Sequence, residues 1–124
     1  MDVSQCMTYR DPHAAIEFLE RALGFERGAV YEEEGRIVHA EIWHGDSCVM
    51  LGAERDDSLG KPPGSAWTYV AIEDADEHHA RAVEAGAEVV MELTDTDYGS
   101  RDYAVRDREG NVWNFGTYRP ARPA

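Results

Sequence analysis

A chain of 124 residues makes one compact domain, or two small halves sharing one core, and its hydrophobic fraction of 43% is ordinary for a globular protein. The net charge of −13 argues against a nucleic-acid partner, whose phosphates would be repelled over most of the surface; it suits a cationic ligand and equally suits simple solubility. No apolar run reaches the roughly 18 residues of a membrane span, and Met1-Asp2-Val3-Ser4 lacks the basic-then-apolar pattern of a secretory leader, so a cytoplasmic protein without membrane partners is expected.

Val3 to Tyr9 has strand character and carries Cys6. Asp11-Pro12 opens a helix, with Asp11 as N-cap and Pro12 at the first helical position. Ala15, Phe18, Leu19, Ala22 and Leu23 fall on one face at helical spacing, and Gly24 ends the helix. Strand-like runs follow at Gly28–Glu32, Arg36–Trp43 and Ser47–Leu51, with turns at Gly35 and Gly45-Asp46. Cys6 and Cys48 are too few for a disulfide scaffold and read as small buried hydrophobes.

The second half repeats this order. Trp67–Ile72 is a strand, and Asp74 caps a helix running to about Ala85 and ended by Gly86. Strands follow at Glu88–Thr94, Arg101–Arg106 and Asn111–Tyr118, the last two joined at Glu109-Gly110. The expected organisation is a first βαβββ module over 1–52, a linker over 53–65, a second module over 66–119 and a tail over 120–124. Pro62-Pro63-Gly64 rules out regular structure in the linker. The fold class is therefore α+β: two tandem βαβββ modules whose curved mixed sheets surround a concave cavity.

Strand alternation assigns faces. Val38, Ala40 and Ile42 are expected under the first helix, with His39, Glu41 and Trp43 on the opposite face. Thr68, Val70 and Ile72 go to the core, and Trp67, Tyr69 and Ala71 to the cavity. Trp113 and Phe115 are expected in the core.

Tyr9-Arg10-Asp11, Ala15-Ile16-Glu17-Phe18-Leu19 and Leu23-Gly24-Phe25-Glu26 resemble the first helix of the vicinal oxygen chelate superfamily. That group includes glyoxalase I, extradiol dioxygenases, fosfomycin-resistance enzymes and bleomycin-resistance proteins. Tyr98 to Trp113, with its Asp-x-Glu-Gly-Asn turn at Asp107–Asn111, resembles the last hairpin of the same group. The resemblance implies the glyoxalase/bleomycin-resistance fold over nearly the whole chain.

It also implies four ligand places for a divalent ion, on the first and last strand of each module, which carry over to about Ser4, Met50, Trp67 and Asn114. None of these is a good ligand for a hard cation, so no metal and no cofactor are expected. The resemblance then points to the bleomycin-resistance branch, whose members sequester a drug as homodimers. The expected partner is a planar aromatic small molecule, with a cationic one permitted by the charge.

Ligand-binding candidates are Trp67, Tyr69, Trp43, His39, Glu41, Tyr103, Met50 and Asn114 on the cavity face, with Tyr98 and Arg101 from 94–101. Aromatic rings offer stacking area and a π-face for a cation. They equally suit a dimer interface or a plugged cavity. The segment 94–101 reads as a lid over the cavity or as an ordinary hairpin loop. No catalytic residue is assigned, and His39 with Glu41 is the one acid/base pair on offer, with a structural hydrogen bond as the plainer reading. Three functions stay open: a metal-free binding protein, a glyoxalase- or dioxygenase-like enzyme, and an interaction module without ligand. His78 and His79 sit on the second helix, where at least one is expected to face solvent, while His13 and His44 read as surface residues.

Overall fold

Each module starts with a short strand and a capped helix, and the caps follow from the sequence. In the computed structural model, which describes residues 3–55 and 62–123, β1 (Cys6–Tyr9) leads into α1 (Pro12–Leu23). The Asp11 carboxylate accepts the Ala14 N–H at 3.1 Å, satisfying one of the free N–H groups of the first turn. Gly24 closes the helix in the left-handed conformation at φ 77°, where a side chain would be strained. Three strands follow: β2 (Glu26–Glu33), β3 (Arg36–His44) and β4 (Ser47–Ala53). The second module repeats the order as β5 (Trp67–Ala71), α2 (Ala75–Glu84), β6 (Glu88–Asp95), β7 (Arg101–Arg106) and β8 (Val112–Gly116). Asp74 caps α2 as Asp11 caps α1, here accepting from the Glu77 N–H at 3.0 Å. Residues 56–61 of the expected linker, and the last residue of the tail, lie outside the described residues.

The two four-stranded sheets have matching orders, β1-β4-β3-β2 and β5-β8-β7-β6. In each, the first strand pairs parallel with the last and the remaining pairs are antiparallel. A parallel neighbour needs a crossover connection, which the helix supplies, and the helix thereby covers one sheet face. The shared core takes Met7, Tyr9, Ala40, Ile42 and Leu51 from the first sheet and Tyr103, Val105, Trp113 and Phe115 from the second. Trp113 and Phe115 are fully buried, as their strand phase requires.

The modules share this core. Phe25 meets Trp113 edge-on at 5.3 Å, and α1 packs on α2. Asp107, buried at the start of the β7–β8 turn, accepts the Tyr9 hydroxyl at 2.6 Å and the Trp113 indole N–H at 3.1 Å. It also takes the backbone N–H groups of Glu109 and Asn111. Burial, with the Asp107 charge beside it, pushes the Tyr9 hydroxyl pKa far above the usual phenol range. Glu109 reaches back to the Arg10 and Asp11 N–H groups at 2.6 and 2.8 Å. The Asp-x-Glu-Gly-Asn turn is thus a clasp between modules.

Two face assignments need correction. A bulge puts both Val38 and His39 opposite Tyr31, between the Glu32–Ile37 and Val30–Ala40 pairs. Ile37 takes the core place, and Val38, 46% exposed, turns to the other face. Cys6 is exposed on that same open face and is not a buried hydrophobe. Among the described residues, no helix is long and apolar enough to cross a membrane.

Candidate functional site

The faces turned away from the helices form the candidate site. In the first module the register aligns Cys6 of β1, Met50 of β4 and Glu41 of β3 in one row. The row on one side carries Cys48 and Trp43, and the row on the other carries Thr8 and Gly52. A groove of about 680 Å³ opens over this face, bordered by Cys6, Thr8, Val38, His39, Met50 and Gly52. His39 Nε2 lies 3.2 Å from Glu41 Oε2, and its ring meets Tyr31 at 5.8 Å. Trp43 lies along β2: a Cβ at Gly28 would come within 2.6 Å of the indole nitrogen, so only glycine admits the ring there.

The second module repeats the rows. Tyr69, Asn114 and Ala104 align, as do Trp67, Val112 and Arg106, and the pair Gly116 and Asp102. Trp67 is 75% exposed and Tyr69 39%, an unusual state for rings of that size. The Tyr69 hydroxyl donates to the Tyr118 carbonyl at 2.7 Å, and burial raises its pKa above the usual range. Beneath these residues Asp102 is buried, taking hydrogen bonds from the Ser100 hydroxyl and from Asn114 Nδ2. Asp102 and Ser100 were not expected at the site. Their signal was the alternation of β7: with Tyr103 and Val105 inward, Asp102 and Ala104 must face the cavity.

Tyr103 is corrected on the same ground. It lies under α2, fully buried, stacked on Phe115 at 5.5 Å and bonded through its hydroxyl to His78. His78 is itself interior, its Nε2–H donating to the Leu23 carbonyl at 2.8 Å, and burial lowers its pKa. His44 is half-buried against Phe25, with a pKa lowered by burial. Arg101 is held by Asp76 of α2 and Asp95 at the end of β6, each at 3.1 Å. Tyr98 is exposed and meets Tyr118 edge-on at 5.5 Å, so 94–101 joins an aromatic cluster that includes Tyr69.

The expected ion-ligand places Ser4 and Trp67 lie two residues before the register partners of Met50 and Asn114, in the same strand phase. Met50 stands beside Cys6, not Ser4, and Asn114 beside Tyr69, not Trp67. Whichever residue of each first strand is taken, the donors on offer are a hydroxyl or a thiol, a thioether, an indole or a phenol, and an amide. These do not fit a hard divalent ion, which takes carboxylates, carbonyls and imidazoles. Among the described residues, no group of three or more His, Cys, Asp or Glu is placed to hold a metal.

Residues 4–115 match the family model described as Glyoxalase/Bleomycin resistance protein/Dioxygenase superfamily. An uncharacterised Mycobacterium tuberculosis protein is 31% identical over 117 residues, covering 86% of this chain and 68% of that protein. The crystal structure of TioX from Micromonospora sp. ML1 superposes with a TM-score of 0.78 at 32% identity, covering 93% of this chain and 98% of that one. TnmS3, an antibiotic binding protein from Streptomyces sp. CB03234, superposes with a TM-score of 0.71 at 21% identity, covering 93% and 94%. With the paired βαβββ modules, these matches make the chain a member of the glyoxalase/bleomycin resistance protein/dioxygenase superfamily.

Proposed function

We propose that this protein binds a planar aromatic small molecule of the antibiotic or natural-product kind, and sequesters it without a divalent metal and without turning it over. The observation that carries the reading is the exposure of Trp67, Tyr69 and Trp43 on the faces opposite the helices. Rings left in water at a concave surface are stacking partners for a flat ligand. The acidic chain favours a ligand with positive charge. TnmS3, a protein of the same fold, binds an antibiotic. The two modules 1–52 and 66–119 each supply one concave face, and we place the ligand between such faces in a homodimer. A second copy would cover the apolar surface that Val38, Trp43 and Trp67 leave open.

The experiment is a titration of the purified chain with planar heteroaromatic compounds of the acridine and phenazine types, read by tryptophan fluorescence, with mass measured in solution by light scattering. Quenching that saturates at one ligand per chain, on a dimer, supports the reading. No binding across such a panel would oppose it. A second reading rests on the contact of His39 with Glu41 beside the groove: an enzyme of the same superfamily using the two as acid and base. Turnover of a bound compound that disappears in His39→Ala would favour it.

A further inference from the structure

We propose that the joint between the modules beside β5 is a binding site for a short extended peptide carrying a basic side chain. A slot of about 470 Å³ opens there, bordered by residues 45–49 at the start of β4 and by residues 68–73 along β5. Successive strand residues point to opposite faces, so an unbroken run borders a space only with the strand's edge. The slot therefore lies between two strand edges. β5 is the last strand of its sheet. The Val112 N–H bonds to the Ala66 carbonyl and the Ile72 N–H to the Gly116 carbonyl, so the even-numbered residues of β5 bond to β8. Tyr69 and Ala71 then turn their N–H and C=O groups the other way, toward the slot. Across it, β1 pairs with β4 only from Met50 onward. Among the described residues this leaves 47–49 without a paired strand on that side.

The internal repeat shows why this joint is open. At the other joint Asp107 takes the Tyr9 hydroxyl, and Glu109 takes the Arg10 and Asp11 N–H groups. Here Ile72 stands in the place of Tyr9, His44 in that of Asp107, and Glu73 and Asp74 in those of Arg10 and Asp11. The β3–β4 turn is only Gly45-Asp46, and among the described residues no bond joins it to the Glu73 or Asp74 N–H. β5 also lacks the devices that usually guard an edge. The edge strands β2 and β6 carry charged residues and register shifts, whereas Trp-Thr-Tyr-Val-Ala has no charge, no proline and an unbroken register.

The slot's dimensions and lining decide the occupant. With strands about 4.8 Å apart, a rise of about 3.4 Å and sheets about 10 Å thick, one strand residue takes about 160 Å³. The slot thus holds about three residues of extended chain. Main-chain bonds to the open edges supply affinity, and alternate side chains supply specificity. Phe25, Val49, Val70 and Ile72 give the slot an apolar wall. Val49 and Val70 pack on the core yet stay only partly buried, and apolar side chains on an inserted strand would cover them. Asp46 and Glu73 outnumber Arg119 at the slot, in a chain of net charge −13. A basic side chain on the peptide's other face answers that charge.

The test follows the backbone amides of the full chain by nuclear magnetic resonance, with no aromatic compound present, so its outcome stands apart from the aromatic-ligand reading. The probes are acetyl-Val-Lys-Val-amide, the same peptide N-methylated at lysine, and acetyl-Val-Glu-Val-amide. With the first peptide the Tyr69 and Ala71 amide signals should shift, and their hydrogen exchange, fast in the free chain, should slow. N-methylation should weaken binding about fivefold or more, and the glutamate peptide should bind at least about tenfold more weakly. Ala71→Pro removes one N–H of the open edge and spares the β8 ladder, so it should fold, as circular dichroism checks, and bind about fivefold more weakly. Should that variant not fold, the methylated peptide decides. No shift at about 10 mM peptide would overturn the site. So would equal binding of the three peptides, or Tyr69 and Ala71 amides already protected in the dilute free chain. Protection that grows with protein concentration alone would assign the edge to a second copy and overturn it too.

Discussion

Replacing Trp67 by alanine separates a binding role from a structural one. The indole is 75% exposed, so its removal takes little from the folded core, and the stability change should stay within about 0.5 kcal/mol. A flat ligand stacked on one face of the ring would cover about 100 Å² of it, roughly half of what a buried aromatic hides. At about 25 cal/mol per Å² this is worth about 2.5 kcal/mol, or about 60-fold in affinity. Isothermal calorimetry is the right assay, because truncation also removes one of the three tryptophans that report binding by fluorescence. Thermal unfolding of the same variant supplies the control. An affinity loss below about threefold, or a stability loss as large as the affinity loss, would refute the stacking role.

Three further outcomes follow from the packing. Gly28→Ala drives a methyl group into the Trp43 indole; it should cost about 1–3 kcal/mol and red-shift tryptophan emission as the ring moves into water. Asp107→Ala strands the Tyr9 hydroxyl, the Trp113 indole N–H and two backbone N–H groups in the interior. It should lower unfolding stability in urea by about 3 kcal/mol or more. His78 is kept neutral by burial, with its pKa below the ordinary value of 6.5. The unfolded chain therefore takes up a proton as pH falls through about 6.5 while the folded chain resists it, so stability is full above that pH and declines below it. Relative to His78→Asn, the wild type should lose up to about 1.4 kcal/mol per pH unit in that window, measured by urea unfolding at stepped pH.

The fold was largely written in local signals. Asp11 and Asp74 announce their helices because an N-cap oxygen answers a definite need of the first turn, and Gly24 marks the end because few residues accept its φ. The repeat, which sets Asp74 63 residues after Asp11, carried the topology. The site was legible only where strand phase was uninterrupted: Trp67, Tyr69, Trp43 and Asn114 follow from alternation. Val38 did not, because a bulge inserts one residue and reverses the faces on one side of it, and nothing in Arg-Ile-Val-His-Ala announces it. Tyr103 was misplaced because an aromatic residue suits a cavity and a core equally, and only pairing with Phe115 decides.

The most direct measurement is calorimetric titration of one planar aromatic ligand into chelator-treated protein, repeated with manganese, nickel or zinc added. Metal-independent recognition predicts the same affinity and the same one-to-one ratio in every case. Binding that appears only with the added divalent ion would contradict it.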